Sequence, residues 1–332
     1  TSMENGVGPG VFGALSMGYL VAGARNLADW KRFGCEAIGL HLACESESQL
    51  AFRMDEHARR IIIERRDADD AIALGWQVND RAALDIILER LAANNVSVEF
   101  LQGDQAAQRG VLTLHRFVGP KGLLIELFVE PLTDSKPLQI LSSGFNIGRA
   151  GLGHISVMSK ERDRTIAFWR ELFDARISDR IEISSGKRVA LDVTFLRVNE
   201  RHHSVAIAAT RGPRIDMFPT RVQHFNIEVA TLDDLTATFE RCRALGYKMS
   251  RNIGRHPNDK ELSFYLPTPS GFEMEIGWDA LVVDEAWWES DRVYDRMSNW
   301  GHDIPGALST ELGLRHVLTG IKSLRREEFL PW

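Results

Sequence analysis

The chain repeats itself, and this constrains its fold more than any single motif does. With Leu235 set against Leu84, the segment "VQHFNIEVATLDDLTATFERCRALGYKM" (222–249) aligns with "AIALGWQVNDRAALDIILERLAANNVSV" (71–98). Each opens on an apolar run that reads as a buried strand, crosses a polar turn (231–234; 79–81), and continues with helical period. Leu235, Phe239 and Leu245 mark the apolar side of one helix, and Leu84, Leu88 and Leu91 that of the other. Downstream, 262–278 matches 112–131. Pro269-Ser270-Gly271 stands against Pro120-Lys121-Gly122, each a turn between two strand-like runs. Upstream, "GLGHISV" (151–157) stands opposite "SMGYLVAG" (16–23), and each leads to a helix carrying a tryptophan, Trp169 or Trp30. A unit of strand, helix and further strands therefore occurs twice. The expected fold is α+β, with curved antiparallel sheets built from paired modules.

At 332 residues the chain suits two domains rather than one core. The expected division is an extension over 1–13, a first module pair over 14–135, a linker over 136–148 marked by Pro137, Gly144 and Gly148, a second pair over 149–282, and a tail over 283–332 with Trp287, Trp288 and Trp300. A net charge of −6 carries no basic footprint, so nucleic acid is not an expected partner. Three cysteines without a CxxC pair argue against a disulfide framework or zinc–thiolate site and favour a reducing, cytoplasmic setting. The longest uncharged stretch, Val11 to Ala24, falls short of the roughly 20 apolar residues of a membrane span, and no charged leader precedes it. His41, His57, His115, His302 and His316 belong to no constellation and read as structural or exposed. Residues 210–221 read as a surface loop, with the mouth of a pocket as the alternative.

The strand-like "FEMEIGW" (272–278) puts Phe272, Met274 and Ile276 on one face and Glu273, Glu275 and Gly277 on the other. Two carboxylates on one face mean either a solvated outer side or an acid aimed into a barrel to hold a metal. The repeat turns this into a comparison. At three matched positions the second half carries His154, His224 and Glu275, where the first carries Tyr19, Ala73 and Glu126. Two histidines and one carboxylate form the facial triad preferred by non-haem Fe(II) enzymes that activate oxygen. All three are expected on strands, aimed into one concave sheet. The first half keeps only the acid and reads as metal-free.

"GRHPNDKELSFYLPTPSGFEMEIGW" (254–278) closely resembles the signature of the type I extradiol ring-cleavage dioxygenases, within the vicinal oxygen chelate superfamily: His256, Tyr265, the Pro269–Gly271 turn, then Glu275. "GLGHISV" and "VQHFNIEV" resemble its two ligand-histidine strands, and "NERHHSVAIAA" (199–209) its catalytic-histidine strand. The resemblance is nearest to the biphenyl-diol branch. It implies a two-domain vicinal oxygen chelate fold of repeated βαβββ modules in curved mixed or antiparallel sheets. It also implies extradiol (meta) cleavage of a catechol, such as a bicyclic or polycyclic diol, with both atoms of O2 incorporated. Fe(II) would be held by His154, His224 and Glu275; Mn(II) shares those coordination habits.

The resemblance further implies that His203 is the acid–base over the ring and that His256 and Tyr265 bond the substrate hydroxyl. Asn258 and Asp259 would shape the adjoining loop and orient His256, and Phe195 would line the oxygen pocket. Strand alternation sends His202 away from His203, and Glu273 is left to hydrogen bonding or solvent. A small-molecule catechol and a homo-oligomer are the expected partners. Two other readings stand beside this one. An isomerase-type relative would draw ligands from both module pairs, which Tyr19 and Ala73 do not offer. A non-catalytic small-molecule binder would have no use for the triad with His203 and Tyr265.

Overall fold

Two sheets with one strand order form the scaffold. A computed structural model describes residues 10–184 and 190–332. Most of the expected N-terminal extension, residues 1–9, therefore lies outside the described residues. The first sheet holds β1 (Leu15–Ala24), β2 (His41–Glu45), β3 (Gln49–Arg53), β4 (Ile61–Arg65), β5 (Asp70–Val78), β6 (Glu99–Gln102), β7 (Thr113–Val118) and β8 (Leu124–Phe128), in the order β2-β3-β4-β1-β5-β8-β7-β6. The second holds β9 (Ile155–Met158), β10 (Arg176–Ile183), β11 (Leu191–Arg197), β12 (Val205–Thr210), β13 (His224–Glu228), β14 (Arg251–Arg255), β15 (Leu262–Pro267) and β16 (Glu273–Trp278). Its order is β10-β11-β12-β9-β13-β16-β15-β14, which is the first order displaced by eight. Two-residue strands β17 (Val293–Tyr294) and β18 (Trp300–Gly301) extend its edges.

Helices α1 (Leu27–Arg32), α2 (Arg81–Ala93), α4 (Arg162–Phe173) and α5 (Leu232–Ala244) each follow the first strand of a βαβββ unit; α3 (Asp104–Ala107) is a short turn of helix before β7. The polar turns expected before α2 and α5 are their caps: Asp80 accepts from the Ala83 amide and Thr231 from that of Asp234. The halves join through aromatic packing, with Trp76 at 5.6 Å from Trp169 and 5.4 Å from Phe173. Among the described residues no helix is long and apolar enough to cross a membrane, and Cys35, Cys44 and Cys242 are free thiols.

The tail closes back on the body. Trp288 donates from its indole to the Ser178 carbonyl, and β18 pairs with β14. Helix α6 (Gly306–Ser323) follows, then the Phe329 carbonyl accepts from the Lys121 amide and Trp332 packs 4.8 Å from Phe168.

The interior of the first sheet is filled. Tyr19, stacked on Phe128 at 5.4 Å, donates to Glu126 Oε2 at 2.6 Å. Arg109 donates to the same carboxylate at 3.0 Å, and Arg116 reaches it at 2.6 Å. Gly75 makes room for this, since a Cβ there would fall 2.3 Å from the Tyr19 ring. Burial, then the Glu126 charge, pushes the Tyr19 phenol well up, so it stays a donor. The acid that this half shares with the other is thus neutralised by two guanidiniums. Glu126→Ala leaves Arg109 with Glu64 alone, so the expected loss of stability is about 3 kcal/mol, the lower end for a broken buried pair. A urea unfolding midpoint measures it.

Candidate active site

Strand register in the second sheet brings three ligand side chains together. Parallel pairing sets Asn226 of β13 opposite Glu275 of β16, and antiparallel pairing sets Tyr265 of β15 opposite Glu275. His224, Tyr265, Glu273 and Glu275 therefore share one face, while Phe225, Phe264, Met274 and Ile276 enter the core behind it. His154 differs from expectation: it precedes β9 rather than lying within it. Gly277 shares the face of Glu275, where any Cβ would fall 1.7 Å from Glu261 Oε1. Glu261 is packed there against Asn226, which donates to it at 3.0 Å.

The three ligand atoms converge. His154 Nε2 lies 3.1 Å from His224 Nε2, and Glu275 Oε2 lies 3.0 and 3.3 Å from them. His224 donates Nδ1–H to Gln223 Oε1 at 2.7 Å, which leaves its Nε2 as a bare lone pair. Gln223 in turn donates to Glu273 Oε2 at 2.9 Å. The second carboxylate of the strand thus anchors the residue that orients His224. Glu275 Oε2 is buried with no hydrogen-bond donor. Electron-pair donors at this spacing repel one another unless a cation lies between them. Metal–ligand bonds of about 2.1 Å meeting at right angles span about 3 Å between donors, so the set fits a divalent ion. Burial raises the Glu275 carboxyl, yet the surrounding imidazoles of His154, His224 and His256 hold it well below the ordinary range. Burial pushes the His154 imidazole down, toward the neutral form a ligand needs.

His202 and His203 lie in the turn before β12 rather than on a strand, so alternation does not separate them. Their Nδ1 atoms are 3.0 Å apart, and His202 Nε2 lies 2.9 Å from Asp179 Oδ2. The Asp179 carboxylate accepts, so His202 carries its proton on Nε2, and its bare Nδ1 accepts a hydrogen bond from His203 Nδ1–H. That leaves His203 Nε2 free. Burial, followed by the neighbouring imidazoles, pushes His203 well down, and its ring lies 3.9 Å from His154. Phe195 presents its edge to His203 at 4.8 Å. Asn258 donates to Asp179 Oδ1 at 3.1 Å, and Asp259 lies 3.8 Å from His203. Their side-chain contacts run toward the His202–His203 pair, and among the described residues neither is hydrogen-bonded to His256.

His256 is held by the tail instead, donating Nδ1–H to the Met297 carbonyl at 2.7 Å. Its Nε2 meets Tyr265 Oη at 2.8 Å and Glu275 Oε1 at 3.2 Å. Burial opposes its charge, but Glu275 and Asp259 outweigh burial and push it up to about 9. Burial, then Glu275, pushes the Tyr265 phenol well up, which keeps it a donor.

These groups line a cavity of about 220 Å³ with Leu191, Val193, Met217 and Phe218. That is below the roughly 300 Å³ of drug-sized sites and suits a small aromatic. A wider outer groove of about 780 Å³ has no convergent acid–base set; its Arg176 and Arg197 are already paired with Glu285. Met217 and Phe218 settle the loop 210–221 as part of the pocket wall. His302 and His316, which have no motif partner in the sequence, line the pocket as well. The His302 ring lies 4.4 Å from His256, and burial, with the His256 charge, pushes it down to about 3.

The chain matches the Glyoxalase/Bleomycin resistance protein/Dioxygenase superfamily over residues 151–276 and Dihydroxybiphenyl dioxygenase BphC D1 over 17–65. It is 35% identical to a biphenyl-2,3-diol 1,2-dioxygenase of Metapseudomonas furukawaii over 86% of this chain and 93% of that one. It is 28% identical to an iron-dependent extradiol dioxygenase of Rhodococcus jostii (strain RHA1), over 87% of this chain and 97% of that one. Among solved structures it resembles BphC, a halotolerant catechol dioxygenase, with TM-score 0.78 and 30% identity over 87% of this chain and 94% of that one.

Gln223→Ala frees the His224 ring and is expected to lower divalent-metal affinity by about 10- to 100-fold, read by competition with a chelating dye. Glu275→Ala is expected to lose bound metal altogether while keeping its circular dichroism spectrum.

Proposed function

The chain belongs to the extradiol dioxygenases of the glyoxalase/bleomycin resistance protein/dioxygenase superfamily, and on that premise we propose that it opens the ring of a biphenyl-type catechol beside its hydroxyls. The diol and O2 combine into one ring-opened hydroxy-oxo-dienoate that keeps both oxygen atoms. One observation carries the reading: Glu275 Oε2 is buried without a donor and faces two imidazole nitrogens at 3.0 and 3.3 Å. His154, His224 and Glu275 would hold Fe(II), whose chemistry would be to pass electron density from the diol to O2.

The protein's own part is proton handling and orientation. Tyr265, a buried phenol beside His256, is the donor to the substrate oxygen nearest the metal. His203 is neutral, with Nε2 free, and serves as the base that takes a hydroxyl proton and later returns it. Asp179 and His202 position it by fixing its tautomer. Phe195 and the apolar wall hold the ring and exclude water. Residues 149–282 carry this chemistry, 14–135 serve as a metal-free scaffold, and the tail completes the pocket. The three free thiols support a reducing, cytoplasmic setting. The exposed apolar residues of α6, Leu314, Val317, Leu318 and Ile321, support self-association.

The test is oxygen uptake by protein reconstituted anaerobically with Fe(II) and given 2,3-dihydroxybiphenyl. Stoichiometric uptake with a yellow product is expected. No uptake with this or a fused-ring diol, despite bound iron, would overturn the reaction. His203→Gln is expected to retain iron and to lower kcat by about 10²- to 10⁴-fold.

A further inference from the structure

One guanidinium in the pocket has no part in the chemistry above. Arg251 opens β14 and is the register partner of Tyr265, so their side chains share the pocket face. Its Cζ lies 5.9 Å from the centroid of the Tyr265 ring, and it lines the same cavity as His203 and Glu275. Among the described residues it makes no ion pair and no side-chain hydrogen bond. The buried arginines behave differently: Arg53, Arg60, Arg109, Arg197 and Arg201 are each paired with a carboxylate. An unpaired guanidinium on a pocket wall is a group with its donors unspent.

The neighbours define what would bring the anion there. His316 and Phe218, 5.1 Å apart, belong to the same cavity. Arg251 is close enough that its charge, after burial, helps to disfavour protonation of His302 and His316. Leu191, Val193, Ala206, Ala208 and Met217 present hydrocarbon along the remaining wall. Arg251 is also the one arginine or lysine among the residues that line this cavity, and the charged His256 is already engaged with Glu275 and the Met297 carbonyl, so the guanidinium is the place left for an anionic group.

We propose that Arg251 is a specificity residue that receives a carboxylate carried on the side chain of the catechol. The preferred substrates are then amphipathic, with a diol for the metal end, hydrocarbon for the walls and an anion for the guanidinium. This rests on the extradiol reading, deepens it by naming the substrate class, and leaves the ring-opening step unchanged.

The experiment compares kcat/KM for 3-(2,3-dihydroxyphenyl)propionate and for uncharged 2,3-dihydroxybiphenyl, by oxygen uptake, in the Fe(II)-loaded enzyme and its Arg251→Gln and Arg251→Lys variants. In Arg251→Gln the ratio of carboxylated to uncharged substrate is expected to fall by about 10- to 100-fold, the range of a lost charge-assisted bond. The loss should lie mainly in KM, with partial recovery in Arg251→Lys. A ratio unchanged from the parent, or an equal loss on both diols, overturns the inference; equal loss would assign Arg251 to support of Tyr265. Turnover of the uncharged diol alone by the parent also overturns it. If the parent consumes neither diol, the extradiol reading falls, and this inference with it.

Discussion

Three electron-pair donors held about 3 Å apart in a buried site repel one another, and much of the second half exists to keep them there. The strand ladder sets the distance between His224 and Glu275, because backbone bonds lock β13 against β16 in register. Gln223 and Glu273 then lock the His224 ring, and the packing of Glu261 under Gly277 fills the space beneath. Burial makes the arrangement costly when empty and favourable around a cation. A surface cluster of the same residues would relax by solvation and side-chain rotation.

The two halves show what a duplicated scaffold can do with one shared acid. Glu126 and Glu275 occupy matching strands, β8 and β16. One is surrounded by Arg109, Arg116 and Tyr19, the other by three imidazoles. Guanidiniums arrive already charged and consume the carboxylate, whereas the imidazoles of His154 and His224 add lone pairs and leave a need for metal. The same fold therefore yields a filled core in one place and a reactive centre in another.

The repeat made the doubled strand–helix–strands unit and the matched positions of His154, His224 and Glu275 legible, because each is written in short-range periodicity or in aligned residues. Other features needed the third dimension. His302 and His316 reach the pocket from a tail with no repeat partner, and no spacing in the sequence ties them to His256. The alternation argument failed for His202 and His203 because it holds only within strands, and these two occupy a turn. Asn258 and Asp259 share a motif with His256, yet their partners, Asp179 and His203, lie far upstream.

The hold on His256 differs in kind from these side-chain contacts, since its acceptor is the main-chain carbonyl of Met297. Any residue at that position offers the same oxygen, so the tail is free to drift in composition without losing its grip. Its length is another matter. Trp288 is pinned to Ser178, and β18 is pinned to β14, on either side of Met297. An inserted or deleted residue between those anchors would shift the carbonyl out of reach. Lineages descending from this chain should accordingly accept substitutions across 289–299 far more readily than changes in the number of residues there.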